Sequence, residues 1–181
     1  MEILETIAII GSMFITVYLF ILQPNQINGI SMEPTFHNGQ YIFTSKVTYK
    51  IRDPQRGDIV VFHSPQNPDV EYIKRIIGLP GDTVTISDSK VFVNGKEISE
   101  PYISAPTTLT PENFVKNNVP VIVSDGEIFV LGDNRPRSAD SREFGPIKFV
   151  SVVGQVFYRY FPTTKMGVIK NPFHESFRNK I

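Results

Sequence analysis

Short apolar runs divided by turn residues dominate residues 41 to 161 and restrict the fold more than any other feature of the chain. Turn signals flank these runs, as in Asn38-Gly39, Pro80-Gly81-Asp82 and Asn94-Gly95. An Asn-Gly pair between apolar runs is the strongest short signal for a β-hairpin. Fourteen prolines and twelve glycines in 181 residues also fit many short strands joined by tight turns. Eight strands are predicted, at residues 41–44, 58–62, 72–77, 83–86, 91–93, 96–98, 127–131 and 153–161. The pattern predicts a mainly β domain of antiparallel strands.

The N-terminal segment is long and apolar. Residues 3–22 read ILETIAIIGSMFITVYLFIL, with Glu5 as their one charged residue. A helix of this length spans about 30 Å, roughly one hydrocarbon core. A retained transmembrane anchor is therefore predicted over residues 1–23. A cleaved secretory signal would need a basic start and a small-x-small cleavage site, and a buried helix of a soluble protein would show a polar face. No Lys or Arg precedes Lys46, so charge does not orient the segment.

The remaining chain divides into a domain and a tail. Residues 24–162 are expected to form the β-rich domain. Residues 101–125, PYISAPTTLTPENFVKNNVPVIVSD, are polar and interrupted by proline, which predicts an inserted loop without a core of its own. Residues 163–181 form a polar C-terminal tail that is expected to be peripheral.

Composition narrows the possible partners and chemistries. Lys plus Arg and Asp plus Glu number 18 each, so net charge favours neither nucleic acid nor an acidic surface as a partner. The chain has no cysteine, which excludes disulfides, a thiolate nucleophile and a cysteine metal site. His37, His63 and His174 lack the spacing of metal ligands. No cofactor, metal or nucleic acid is therefore predicted.

One serine, Ser31, is a candidate nucleophile. It lies in NGISMEPTF, residues 28–36, after the apolar segment and before Pro34, where it is either a turn residue or a reactive one. A serine hydroxyl is a poor nucleophile at neutral pH and needs a base. The chemical interpretation therefore requires a base elsewhere in the chain.

Lys74 in EYIKRII, residues 71–77, is a candidate for that base. Strand alternation places Tyr72, Lys74 and Ile76 on one face and Arg75 on the other. Burial of that face would lower the lysine pKa and supply a neutral amine, whereas an arginine stays protonated. The alternative is a lysine that extends from a half-exposed strand into water, and alternation alone does not decide between them.

A polar loop follows the last apolar strand. Residues 132–145 read GDNRPRSADSREFG. As a functional loop, it would pair Asp140 with Arg142 while the hydroxyl of Ser138 or Ser141 binds an unprotonated amine. As a structural loop, it is a solvated turn, and composition does not separate the two.

Four motifs occur in the order and approximate spacing of those of type I signal peptidases: SMEPT around Ser31, RGDIVVF at 56–62, YIKRIIGLPGD at 72–82 and GDNRPRSADSREFG at 132–145. The chain resembles that family from the apolar segment to about residue 161. Its short, single-anchor form is similar to the Gram-positive bacterial members, and organellar inner-membrane members are similarly small.

The resemblance implies a role for each matching residue. Ser31 matches the nucleophile, and its backbone N–H matches one donor of the oxyanion hole. Lys74 matches the general base, and Ser138 matches the serine that orients this lysine. Asp140 and Arg142 match the ion pair behind them. Some relatives carry a hydroxyl side chain two residues before the nucleophile, where this chain has Gly29, so the second oxyanion donor stays open.

The resemblance also implies a substrate and a location. Family members cleave signal peptides from exported preproteins after small residues, usually alanines, at the first and third positions before the bond. An edge segment near residues 71–74 would pair with the extended substrate. The implied partners are such preproteins and membrane lipid, and the implied location is the plasma membrane with the β domain on its outer side; an organellar inner membrane is the alternative. The substrate-binding residues implied by the match are Ile27, Gly29, Met32, Phe36, Tyr72 and Ile73.

Three alternatives remain at this point. A Ser/Lys self-cleaving transcriptional regulator shares the short serine motif, but it would normally carry a DNA-binding helix-turn-helix, and none is found. A catalytically silent, membrane-tethered β domain would bind partners without turnover. A triad that uses His37 or His63 is the mechanistic alternative.

Overall fold

The computed structural model describes residues 2–173, and this part of the chain is mainly β. The longest helix of this part is α1 (Glu2–Phe20). Two short helices follow: α2 (Thr48–Ile51) and α3 (Ser141–Phe144). Single 3-10 turns occur at Arg135–Arg137, Phe149–Ser151 and Thr163–Lys165. The strands are β1 Leu22–Gln26, β2 Tyr41–Ser45, β3 Ile59–His63, β4 Glu71–Gly78, β5 Thr83–Ser87, β6 Lys90–Val93, β7 Lys96–Glu97, β8 Val121–Ile122, β9 Glu127–Leu131, β10 Ile147–Lys148, β11 Val152–Phe161 and β12 Gly167–Val168.

Two antiparallel sheets make up the β domain. The larger sheet has the order β1-β2-β11-β3-β4-β9-β10, with β12 paired to β11. The smaller sheet has the order β7-β6-β5-β8. Every pairing is antiparallel, which confirms the predicted fold class at the level of the β domain. Strands β3 and β4 lie inside the larger sheet, each between two other strands in the sheet order.

All eight predicted strands are present, and each boundary lies within one residue of its prediction. Strands β1, β8, β10 and β12 were not predicted. Strand β1 reads LQPNQ, which lacks alternation and contains Pro24. It pairs only with β2 and forms the edge of the sheet, a position where a proline is tolerated. Its strand conformation therefore depends on pairing rather than on its own composition.

The N-terminal segment forms α1, but the transmembrane helix predicted over residues 3–22 is not found. Among residues 2–173, no helix is both long enough and apolar enough to cross a membrane. The helix ends at Phe20 because Leu22 begins β1 and pairs with Ser45 of β2, so the last part of the predicted segment belongs to the sheet. Large apolar side chains on α1, such as Ile3 and Leu4, are exposed rather than packed against the β domain.

Three apolar clusters form the core. The first joins the two sheets and includes Ile77, Val84 and Phe129. The second lies beneath the segment that carries Ser31, and its members include Ile27, Met32, Phe36, Ile59 and Val61. The third covers the opposite face of β3 with Val60, Phe62, Ile76 and Val130. The central residues of its neighbour β4, which include Lys74 and Arg75, are buried as well.

The predicted inserted loop and the tail are partly anchored to this core. Residues 101–125 end in β8, which pairs with β5, and they bury Val115 and Val123 in the cluster between the sheets. From the tail, Asn171 donates a hydrogen bond to the carbonyl of Arg56. The last part of the predicted tail, residues 174–181 with His174, lies outside the described residues.

Candidate active site

Ser31 lies in the loop between β1 and β2. Two hydrogen bonds from Asn134 hold this part of the loop against residues 132–145. The backbone N–H of Asn134 donates to the Ser31 carbonyl at 3.0 Å, and its side-chain amide donates to the Ile30 carbonyl at 3.0 Å. Gly29 has φ of +119°, a conformation that favours glycine over any residue with a side chain. The hydrogen bonds from Asn134 thus hold the backbone that carries the Ser31 hydroxyl.

Lys74 lies opposite this hydroxyl. Its Nζ is 2.8 Å from Ser31 Oγ and 3.0 Å from the carbonyl oxygen of Ile73. The same nitrogen is 5.2 Å from the centre of the Tyr72 ring. The residue is 3% exposed, so almost the whole side chain is desolvated. The structure therefore brings together the predicted nucleophile and the predicted base.

Burial lowers the pKa of Lys74 from its ordinary value of 10.5 to about 8. Desolvation is the largest cause, because a buried ammonium loses its hydration. The carboxylates of Asp140 and Asp133 oppose this change, whereas the guanidinium of Arg142 adds to it. Desolvation outweighs the acidic neighbours, so the neutral amine becomes accessible near physiological pH.

Arg75, on the other face of β4, is buried as well. Its guanidinium donates two hydrogen bonds to the carboxylate of Asp133, at 2.9 and 2.6 Å, and a third to the Gly57 carbonyl. The Thr35 hydroxyl donates to the same carboxylate at 2.5 Å. This cluster joins the strand of Lys74 to the segment of Ser31 and to residues 132–145.

The Arg75–Asp133 ion pair was not predicted, although the sequence contained a signal for it. Strand alternation already placed Arg75 opposite Lys74 in a run of isoleucines. A buried guanidinium requires a counter-ion, and the polar loop offered two unassigned carboxylates, Asp133 and Glu143.

Asp140 and Arg142 form a buried bidentate pair, with Nε to Oδ1 at 2.8 Å and Nη2 to Oδ2 at 2.9 Å. Asp140 also accepts the Gly132 N–H at 3.0 Å and the Arg142 N–H at the start of α3. Arg142 in turn donates to the carbonyls of Arg135 and Ser138. The pair therefore ties both ends of residues 132–142 into one rigid turn.

Ser138 and Ser141 have different environments. Ser141 Oγ accepts the Val130 N–H at 3.0 Å, so this hydroxyl supports β9. Ser138 Oγ is buried and has no hydrogen-bond partner among the described residues, and the predicted hydrogen bond to Lys74 is not formed. A Cβ at Gly132 would overlap Ser138 Oγ and lie 2.6 Å from the Ser31 carbonyl oxygen. Only a glycine at position 132 lets these two serines approach each other so closely.

A cleft of about 820 Å³ is lined by Tyr72 and Ile73, the two residues that precede Lys74 in β4, but neither Ser31 nor Lys74 is among its lining residues. One wall consists of residues 24–28 at the end of β1, and the other of residues 68–73 leading into β4. Ile42 of β2 and Val61 of β3 contribute to its floor. The first part of β4 has a free edge here, because its pairing with β9 begins only at Arg75.

The predicted substrate-binding residues lie at two depths around this cleft. Ile27, Tyr72 and Ile73 line it. Met32 and Phe36 are buried in the cluster beneath the Ser31 segment and are not among its lining residues.

His37 and His63 contact groups other than Ser31 and Lys74. His37 Nδ1 is 3.3 Å from a carboxylate oxygen of Glu33, and His63 Nδ1 is 2.9 Å from the Pro68 carbonyl. Within residues 2–173, the side-chain partner of Ser31 Oγ is Lys74.

Comparison with known proteins identifies the family. The model of the signal peptidase family, peptidase S26, matches residues 1–161. Signal peptidase I of Bacillus licheniformis is 40% identical over 160 residues, which cover 86% of this chain and 84% of that protein. Signal peptidase IB of Staphylococcus aureus, strain COL, is 35% identical over 185 residues, which cover 94% and 96% respectively.

A crystal structure of a signal peptidase I from Enterococcus faecalis V583 is 39% identical to the chain, covers 58% of it and 97% of its own length, and gives a TM-score of 0.48. The family match and the two sequence relatives confirm the resemblance that the four motifs indicated. The chain belongs to the signal peptidase family, peptidase S26, and is a serine endopeptidase.

Proposed function

We propose that this enzyme removes N-terminal signal peptides from exported preproteins by cleaving after small residues, with Ser31 as nucleophile and Lys74 as general base. The proposal rests on the hydrogen bond of 2.8 Å between Lys74 Nζ and Ser31 Oγ in a buried site. A hydroxyl within reach of a base of lowered pKa is what covalent catalysis by serine requires. The names of the two sequence relatives, signal peptidase I and signal peptidase IB, support the substrate class.

In the proposed reaction, neutral Lys74 takes the proton of the Ser31 hydroxyl as Oγ attacks the carbonyl carbon of the scissile bond. The lysine ammonium then donates this proton to the departing amine of the mature protein, and the signal peptide stays esterified to Ser31. Lys74 next takes a proton from water as the water oxygen attacks the ester, and it returns this proton to Ser31 when the signal peptide leaves. The Ser31 N–H is the proposed first donor to the oxyanion.

The lowered pKa of Lys74 makes the first step accessible. With a pKa of about 8, roughly one tenth of the enzyme carries the neutral amine at about pH 7. With the ordinary value of 10.5, this fraction would be about 300 times smaller. Desolvation of this side chain therefore raises the population of the neutral amine at about pH 7.

Ser138, Asp140 and Arg142 are proposed to position the base. The Ser138 hydroxyl is buried beside Gly132 and has no hydrogen-bond partner within residues 2–173, so it is available to bind the neutral amine of Lys74 during turnover. The Asp140–Arg142 pair holds the turn that carries Ser138. These residues would act through Lys74 rather than on the substrate.

The cleft is the proposed site of the signal peptide. An extended substrate would hydrogen-bond to the free edge of β4 before Arg75, as an added strand. Ile27, Tyr72 and Ile73 would form shallow apolar pockets over the buried Met32 and Phe36, so a small side chain fits and a large one overlaps. Gly29 adds no side chain near the nucleophile.

We place the reaction at the outer surface of the plasma membrane, where exported preproteins emerge. The exposed apolar side chains of α1, including Ile3, Leu4 and Ile7, would contact lipid. This contact would concentrate the enzyme near its substrates.

Cleavage of a preprotein that carries an Ala-x-Ala site tests the proposal. Wild type, Ser31→Ala and Lys74→Ala would be compared in detergent, with folding checked by circular dichroism and the cleavage site read by mass spectrometry. We expect cleavage after the second alanine by wild type alone. His37→Ala and His63→Ala serve as matched controls and should keep most of the activity.

The outcomes separate the proposal from its alternatives. Loss of activity in a folded histidine variant would replace the dyad by a triad. Binding of the preprotein without cleavage would favour the tethered binding domain. Cleavage of the enzyme's own chain in place of the preprotein would favour the self-cleaving regulator.

A further inference from the structure

A carboxylate links the two walls of the cleft. Glu71, the first residue of β4, accepts hydrogen bonds from the side-chain amide of Gln23 at 3.2 and 3.3 Å and from that of Asn25 at 3.1 Å. Both amides belong to β1, which is separated from β4 by three strands in the sheet order. The carboxylate of Glu71 is therefore directed across the cleft towards the opposite wall.

The charge at this end of the cleft is negative. The lining residues include the carboxylates of Glu71 and Asp69 and no lysine or arginine; the imidazole of His63, opposite Glu71 in the sheet, also lines the cleft and has its Nδ1 2.9 Å from the Pro68 carbonyl. Among residues 2–173, the Glu71 carboxylate accepts its side-chain hydrogen bonds from these two neutral amides. A hydrogen bond from a cationic donor to a carboxylate is about twice as strong as one between neutral groups. A lysine or arginine side chain in the cleft would thus be a better partner than either amide.

The position of Glu71 along β4 indicates which substrate residue it meets. Glu71 precedes Lys74 by three residues, about 10 Å of extended strand. The proposed pocket residues Tyr72 and Ile73 lie between them, so Glu71 lies further upstream of the scissile bond. An extended substrate beside β4 advances by about one residue for each residue of the strand. Since the third position before the bond takes a small residue, the longer side chains at the fourth and fifth positions are those that reach Glu71.

We propose that Glu71 forms a subsite for a lysine or arginine at the fourth or fifth position before the scissile bond. This inference rests on the proposed function for the direction of the substrate. The amides of Gln23 and Asn25 hold the carboxylate across the cleft and yield it to the cationic side chain when the peptide binds.

Three peptides that differ only in having Lys, Ala or Glu at both positions test the subsite. Their affinities would be measured by fluorescence anisotropy on full-length Ser31→Ala protein in detergent, and their cleavage on wild type. We expect the Lys peptide to bind about five times more tightly than the Glu peptide, as for a partly exposed charge pair. Glu71→Gln should bring the two affinities within about twofold of each other, and Glu71→Lys should reverse their order. Asp69→Asn is the matched control, because it removes a carboxylate from the same cleft that has no bond to β1.

Each outcome supports or overturns the proposed subsite at Glu71. Equal or undetectable affinities for the three peptides would overturn the subsite. An equal loss of preference in Asp69→Asn and Glu71→Gln would overturn the assignment to Glu71, because the general charge of the cleft would then be responsible. A Lys preference that disappears with Glu71→Gln supports the subsite even if wild type cleaves none of the peptides, a result that would count against the proposed function instead.

Discussion

Replacing Lys74 by methionine should remove both the proposed base and a pH dependence of stability. Methionine has a similar length and apolar character but carries no ionisable proton. The wild-type lysine is 3% exposed, and burial lowers its pKa from 10.5 to about 8. Because the folded-state pKa is below the unfolded one, the unfolded chain binds more protons between these two values. The stability of wild type therefore rises with pH across this window and changes little below it.

The size of the effect follows from the two pKa values. Between about pH 7 and pH 9.5, proton linkage at Lys74 adds about 2 kcal/mol to the free energy of unfolding of wild type. The Lys74→Met protein lacks this contribution, while all other ionisable groups are common to both proteins. The hydrogen bonds lost with Nζ shift the stability difference between the two proteins by the same amount at every pH, so its slope with pH reports only the proton linkage of Lys74.

The free energy of unfolding of both proteins would be measured at each pH by urea denaturation in the same detergent. Far-UV circular dichroism would follow unfolding, because the chain has no tryptophan for fluorescence. We expect the stability of wild type relative to Lys74→Met to increase by about 2 kcal/mol between about pH 7 and pH 9.5. A difference that stays constant over this range would show that Lys74 titrates near its ordinary value, and the argument for a desolvated base would fail.

Three further predictions address the site. The kcat/KM of wild type should rise about tenfold per unit below about pH 8 and level off above it, because neutral Lys74 is the reactive form; a pH-rate profile that is flat over this range contradicts the assignment. Gly132→Ala places a methyl group 2.6 Å from the Ser31 carbonyl oxygen. We expect the free energy of unfolding to fall by about 1–3 kcal/mol and kcat to fall at least about tenfold. Unchanged kinetics would refute the packing argument. Asp140→Asn leaves the Arg142 guanidinium buried without its counter-ion, which should lower the free energy of unfolding by about 3–5 kcal/mol. The exposed Lys90–Glu97 pair provides the control, since Glu97→Gln should change stability by less than about 0.5 kcal/mol, and equal effects of the two substitutions would be inconsistent with burial as the cause.

The strands of the β domain were predictable because their apolar periodicity and turn residues are local. Residues 127–131 were predicted without error, since an apolar run between a turn and a polar loop has one plausible conformation. Strand β1 was not predictable, because Pro24 and its polar neighbours form a strand only through pairing with β2. The same pairing ends α1 at Phe20, so the last part of the predicted transmembrane segment belongs to the sheet.

The candidate site shows the same division. Ser31 and Lys74 were identified as candidates from their chemistry and local pattern, and family motifs connected them with Ser138. The Arg75–Asp133 pair and the Glu71 contacts with β1 escaped notice, because their partners are 58, 48 and 46 residues apart. No local pattern records such contacts.

The sequence by itself determined the family, the antiparallel β domain and the residues able to act as nucleophile and base, because motifs and strand periodicity are properties of neighbouring residues. Only the tertiary structure decided that Lys74 is buried and that its Nζ lies 2.8 Å from Ser31 Oγ. It also decided that Ser138 Oγ is buried without a hydrogen-bond partner in the described part of the chain. Desolvation and hydrogen-bond geometry depend on residues brought together from distant parts of the chain. The reactivity of an amine is therefore a property of the fold, whereas its presence is a property of the sequence.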